Sequence, residues 1–260
     1  MLRPLNKPLQ HWKDQRIWLI GASSGIGAAL ARDLLQAGAR VALSARDEMG
    51  LQTVAGRHEQ AMILPLDVLD TTAWQVAHDA ICTRWNDVDM LVYCVADYLP
   101  ESVWDMDPQQ AHRTIAVNLS CLYDGLAQVL PRMLRRGKGS IALVASVAGY
   151  MGLPRATVYG PTKAALINLA EILYTDLHAR GLNVFLINPG FVATRLTAKN
   201  DFVMPALQSP EEASRSIMRG ISRGDFEIHF PKNFTLLMKF IQILPYRWRF
   251  ALLGYCLESA

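Results

Sequence analysis

Short runs of apolar residues alternate along the chain with longer stretches whose apolar positions recur every three to four residues. The runs are Ile17–Ile20, Val41–Ser44, Met62–Leu64, Met90–Val95, Ile141–Val144 and Val184–Ile187. They are nearly continuous in apolar character, as strands buried on both faces are. Between them, Gly25–Ala37, Thr71–Trp85, Pro108–Arg135 and Thr162–Arg180 carry the helical period. Gly38 and Gly181 follow two of these helices where a C-terminal cap belongs. Phe226–Phe230 supplies a last short strand. Regular strand–helix alternation predicts an α/β fold, a parallel doubly wound sheet with right-handed crossovers. Ligands then belong outside the carboxyl ends of the strands.

Composition narrows this picture. The 260 residues are 51% hydrophobic and 19% charged, which suits one globular domain over residues 1–260, with 231–260 as a helical C-terminal extension. A net charge of +3, with its basic residues scattered, argues against nucleic acid as a partner. Cys82, Cys94, Cys121 and Cys256 show neither metal spacing nor a CxxC motif, so no metal is expected and the thiols read as reduced and mostly buried. The first residues hold no apolar signal core, and no run reaches the ~18 apolar residues of a membrane span. A cytoplasmic protein is the expectation.

Three stretches carry chemistry. In Ile17-Trp-Leu-Ile-Gly21-Ala-Ser23-Ser24-Gly25-Ile26-Gly27 a strand runs into a helix through glycines that allow a tight turn and close approach to a pyrophosphate. The lysine of a nucleoside-triphosphate loop is missing. The second strand ends Ser44-Ala45-Arg46, without the acid that holds a ribose 2′-hydroxyl; Arg46 can pair with a 2′-phosphate instead, which favours NADP(H) over NAD(H). An arginine in open solvent is the plainer reading. Asp47 should cap the helix that follows. Finally, Tyr159 and Lys163 fall four residues apart on one helix face, where an ammonium would favour the phenolate and make a proton donor or acceptor usable near neutrality.

Taken together, these residues resemble the short-chain dehydrogenase/reductase family, over about residues 14 to 195. Gly21–Gly27 is similar to that family's TGxxxGIG turn, with Ile20 in place of Thr. The resemblance implies a Rossmann-type three-layer α/β/α domain. It places Gly21, Ser23, Ser24, Gly25, Ile26, Gly27, Ser44 and Arg46 on the cofactor. It adds Asp67 and Val68 at the adenine, Ala96 after the fourth strand, and Pro189, Gly190, Val192 and Thr194 beside the nicotinamide. It makes Ser146, Tyr159, Lys163 and Asn118 the catalytic set: Tyr159 as acid or base, Lys163 lowering its pKa and holding the ribose, Ser146 donating to the substrate oxygen, and Asn118 holding a water of the proton relay. One stretch departs from the pattern. Tyr93-Cys94-Val95-Ala96 stands where the family has Asn-Asn-Ala-Gly, whose amides help pin the central strand.

The implied activity is hydride exchange between NADP(H) and a carbonyl or alcohol. Two alternatives stay open: a non-catalytic NADPH-binding sensor or scaffold, and an epimerase or dehydratase on the same fold. Singly, each residue also has a plainer place: Tyr159 at a core edge, Lys163 in solvent, Ser146 in a turn, Asn118 as a satisfied helix polar group. The substrate loops Asp97–Trp104, Gly149–Val158 and Thr194–Ser209 are mostly apolar, with Tyr98, Leu99, Tyr150, Met151, Leu153, Leu196, Phe202, Val203 and Met204, which suits equally a hydrophobic substrate and loops that pack on each other or on a partner subunit. A homodimer or homotetramer through the helices at Pro108–Arg135 and Thr162–Arg180 is expected from the family. The tail from Asn233 is apolar and aromatic, with Lys232, Lys239, Arg247 and Arg249 among its apolar residues and Pro245 dividing it into two helices. Such helices can lie at a membrane interface; a lid or a subunit contact is the plainer reading.

Overall fold

The computed structural model describes residues 3–258, with side chains as far as Gly254, so that Cys256 lies outside the described side chains. Among the described residues seven strands form one parallel sheet: β1 (Arg16–Ile20), β2 (Arg40–Ser44), β3 (Ala61–Ile63), β4 (Met90–Tyr93), β5 (Gly139–Val144), β6 (Leu182–Pro189) and β7 (Glu227–Phe230). Their order is β3-β2-β1-β4-β5-β6-β7. The chain winds outward from β1 one way and from β4 the other, so a crevice opens between the carboxyl ends of these two strands. Ile20 stands level with Ser44 on one side and with Tyr93 on the other.

Alternation along the strands builds a core on each face. Trp18 and Ile20 of β1 point to one side and pack with Trp74, Tyr93, Leu122 and Leu166. That side is covered by α3 (Thr71–Trp85), α4 (Pro108–Ile115), α5 (Cys121–Arg136) and α6 (Tyr159–Leu177). Ile17 and Leu19 point the other way, onto Leu30, Leu34, Leu43, Phe185 and Ile217. There lie α1 (Gly25–Gln36), α2 (Glu48–Ala55) and α7 (Pro210–Arg223). Every strand side chain named here is at most 2% exposed, which explains why the strands show as unbroken apolar runs.

Three features differ from the sequence expectation. The single helix predicted at Pro108–Arg135 is interrupted by a wider π turn at Ala116–Ser120, which carries Asn118. A further helix, α7, stands before the last strand. Its start is a capping box: the Ser209 hydroxyl accepts from the Glu212 amide at 3.1 Å, and the Glu212 carboxylate accepts from the Ser209 amide at 2.8 Å. And β4 stops at Tyr93, two residues short of Val95. The tail divides as predicted, into α8 (Lys232–Ile243) and α9 (Tyr246–Glu258) around Pro245.

Candidate active site

The glycine turn sits at the carboxyl end of β1. Gly21 has φ +90°, and a Cβ there would stand 2.7 Å from the Val95 nitrogen; a Cβ on Gly27 would collide with the Gly21 carbonyl. The turn is therefore closed to side chains on its inner side. Its amides at Gly21 and Ala22 donate to the Ser44 carbonyl at 2.7 and 3.2 Å. Ser24 caps α1 without any side-chain bond, so the first amides of that helix keep their hydrogens for an incoming anion. Ser44 is placed differently from the sequence expectation. It lies behind the turn instead of lining the cleft, its hydroxyl taking the Trp18 indole hydrogen at 2.9 Å. A residue this buried serves the turn through its carbonyl.

A cleft of about 680 Å³ runs from this turn along the carboxyl edge of the sheet. Gly21, Ser23, Ser24, Gly25, Ile26, Gly27, Arg46, Asp67, Val68, Ala96, Ser146, Tyr159, Lys163, Pro189, Gly190, Val192 and Thr194 all line it. Asp47 caps α2, accepting from the Gly50 amide at 3.0 Å, and stands 3.7 Å from Arg195. Its carboxylate is therefore already engaged, while Arg46 is exposed.

Ser146 ends the loop after β5, and its hydroxyl accepts from the Ala148 amide at 3.1 Å. Tyr159 opens α6. Lys163, one turn later, sits with Nζ 5.4 Å from the Tyr159 ring centre and donates to the Val144 carbonyl at 3.0 Å. Burial pushes the Tyr159 phenol above its ordinary value, and the Ser146 hydroxyl opposes the rise. Burial also lowers Lys163 to about 8, with the nearby Cys94 thiol opposing. Desolvation thus dominates the pair in the protein alone. The phenol does not show the lowering by Lys163 that the spacing suggested.

Asn118 is fully buried and stands behind the cleft instead of lining it. Its amide donates to the Asp97 carbonyl at 2.9 Å and to the Thr162 hydroxyl at 3.1 Å, and its oxygen accepts from the Asp97 amide at 2.6 Å. Thr162 in turn donates to the Tyr159 carbonyl at 2.7 Å. Both amide hydrogens are committed, so the side chain links the loop after β4 to the first turn of α6. In the stretch that departs from the family pattern, the Tyr93 phenol donates to the Val117 carbonyl at 2.5 Å, fastening the end of β4 to the π turn.

Cys94, Asp97, Arg113, Arg195 and Lys199 line the same cleft, though the sequence assigned none of them a role at the cofactor or in the reaction. Their shared signal is position, immediately beyond or opposite the carboxyl ends of β4 and β6. On the substrate side Tyr98 meets Tyr159 edge to face at 4.9 Å, and its hydroxyl donates to Asn200 at 2.7 Å. Phe202 packs on Phe191 at 5.8 Å, while Val203 projects into solvent. Tyr150 instead donates its hydroxyl to Glu227 at 2.7 Å.

Residues 15–202 match the family model described as short chain dehydrogenase. The chain belongs to the short-chain dehydrogenase family. An uncharacterized oxidoreductase of Myxococcus xanthus is 31% identical over 229 residues, covering 86% of this chain and 90% of that protein. A 2-keto-3-deoxy-L-fuconate dehydrogenase of Xanthomonas campestris is 32% identical over 72% of this chain and 61% of its own length. In fold, the chain is similar to a short chain dehydrogenase/reductase from Burkholderia phymatum, solved in complex with NAD, with a TM-score of 0.80 and 20% identity over 89% of this chain and 94% of that one. It is also similar to a 3-ketoacyl-(acyl-carrier-protein) reductase of Brucella melitensis complexed with NADH, with a TM-score of 0.77 and 22% identity over 84% and 97%.

Proposed function

We propose that the protein is an NADP(H)-dependent oxidoreductase acting on an apolar carbonyl or alcohol. The observation that carries this is the single cleft joining Gly21–Gly27 and Arg46 at one end to Ser146, Tyr159 and Lys163 at the other. The cradle fits a dinucleotide: its glycines admit no side chain, and the uncapped start of α1 suits a pyrophosphate. Nicotinamide supplies the hydride; the protein binds, orients and moves the proton. With its pKa raised, Tyr159 holds its phenol proton at neutral pH and can give it to a carbonyl oxygen, the acid role in reduction. Ser146 donates a hydrogen bond to the same oxygen as charge develops on it. Lys163 holds the nicotinamide ribose. Asn118 keeps the loop after β4 in register with Tyr159.

The choice of NADP(H) rests on Arg46. Nothing acidic ends β2, Ala45 leaves room, and the next acid, Asp47, is spent on capping. The NAD and NADH of the two similar structures belong to those proteins. A homodimer or homotetramer through α4, α5 and α6 agrees with the exposed Ile115, Tyr123, Leu134 and Ile172 on those helices. Light scattering tests it: a monomer at micromolar concentration overturns the oligomer. The function itself is tested by following NADPH and NADH oxidation with a panel of aliphatic and aromatic aldehydes and ketones. Turnover with NADPH preferred is the expected result. Tight NADPH binding without turnover on any substrate would favour the sensor instead.

A further inference from the structure

We infer that α8 and α9 form an interfacial membrane-binding element that seats the substrate side of the cleft on an anionic lipid surface. The inner face of α8 is firmly attached. Thr235 and Met238 are buried, Met238 against Val147, Tyr150 and Met151. Lys239 pairs with Glu227, which also accepts from Tyr150 at 2.7 Å and Asn188 at 2.8 Å. Phe234 packs on Phe191 at 5.7 Å.

The outer surface is the reverse. Leu236, Leu237, Phe240 and Ile243 recur at the spacing of one helix face, and Tyr246, Trp248, Phe250 and Leu252 follow on α9; all eight are between 47 and 77% exposed. A surface this apolar needs a cover. Its charge says which. Residues 232–258 contain Lys232, Lys239, Arg247 and Arg249 against a single acid, Glu258, at the last position of α9. Lys239 is neutralised by Glu227, and Arg249 donates to the carbonyls of Gln242 and Leu244, which leaves Lys232 and Arg247 exposed beside the apolar face. Apolar side chains, Trp and Tyr, and unopposed cations match the headgroup level of an anionic bilayer. A second copy docked symmetrically would bring the same four cations together with a single acid of this segment, Glu258, to set against them. The helices have 12 and 13 residues, and none among the described residues is long and apolar enough to cross a membrane. The pair lies on the bilayer. Because Phe234 touches Gly190 of the cleft wall, the substrate side is held near the lipid, and an amphiphilic carbonyl dissolved in the membrane becomes the substrate class; this last step alone rests on the proposed oxidoreductase activity.

The test is co-sedimentation of the full chain with phosphatidylcholine vesicles, with and without phosphatidylglycerol, which needs no activity. The chain should sediment with the anionic vesicles and several-fold less with neutral ones, and high salt should release it. Phe240→Glu with Ile243→Glu should lower vesicle affinity at least tenfold while NADPH binding and thermal unfolding stay as in the wild type; Arg247→Gln should lower it about fivefold. No sedimentation of the intact chain overturns the proposal. So does equal binding to neutral vesicles, retained binding by the double variant, or a dimer that the double variant dissociates. The salt dependence of the unaltered chain decides the matter even where the double variant fails to fold. Loss of turnover with vesicle binding intact would strike the oxidoreductase reading alone.

Discussion

Around Gly21 and Gly27 the molecule is shaped by backbone: a positive φ, an amide pair on the Ser44 carbonyl, and no space for a Cβ. Around Glu227 it is shaped by side chains that meet from far apart in the chain, Tyr150, Asn188 and Lys239. The first region is written in seven consecutive residues and braced by the backbone of Ser44 and Val95 from the neighbouring strands' ends. The second exists only once β6, β7 and α8 are assembled. The contrast suggests that the cofactor end is a fixed frame and the substrate end an adjustable one, and substitutions at each should separate binding of cofactor from chemistry and from docking of the tail.

The largest effect should come from Tyr159→Phe, which keeps the ring against Tyr98 and removes the proton. Turnover should fall by about 10²–10⁴-fold, with NADPH affinity changed less than about twofold. Retained turnover would mean that the proton comes from elsewhere. Gly27→Ala should strike the other end. Its methyl meets the Gly21 carbonyl, and shifting the turn should weaken NADPH binding by about 10–100-fold in a fluorescence titration, as overpacking of about 1–3 kcal/mol implies. An unchanged affinity would show that the turn is not the rigid frame described. Arg46→Ala is milder. It should cost NADPH about tenfold in kcat/KM and leave NADH nearly untouched, a charge-assisted bond lost with one cofactor only. Equal losses with both would place Arg46 outside phosphate recognition.

The same contrast governs what the sequence discloses. All seven strands were legible, the central ones because parallel strands buried on both faces leave unbroken apolar runs; the edge strands β3 and β7 are weaker signals, since β3 is only half-buried and β7 carries Glu227 and His229. The turn and the Tyr159–Lys163 pair were legible because their spacing is short. The π turn was not, since Ala116–Ser120 continues the helical apolar period on either side of Asn118. Helix α7 left local signals that periodicity does not weigh: Ser209 with Glu212, Pro210 at its first turn and Gly224 in left-handed geometry at its end. Glu227 could not be picked out at all, as its partners lie up to 77 residues away. For a related reason spacing shows the ammonium beside Tyr159 but not the depth of burial that raises its phenol.

Lys163 offers the finest probe of that burial. Its displacement from 10.5 to about 8, caused by desolvation, corresponds to roughly 3 kcal/mol held against folding while the ammonium is charged. The unfolded chain binds the proton more tightly than the native one, so the cost is complete below pH 8, shrinks as pH rises, and is gone above about 10.5. Lys163→Met removes it but leaves the Val144 carbonyl without its partner, which takes back about 1–2 kcal/mol. At pH 7 the variant should therefore be inactive yet more stable by about 1–2 kcal/mol, a rise in Tm of roughly 3–6 °C. The gain should diminish between pH 8 and 10.5 and reverse above that range, where only the lost hydrogen bond remains. A variant less stable at pH 7, or a difference independent of pH, would mean that Lys163 is charged at little cost in the native protein and that the catalytic end is as well solvated as the tail.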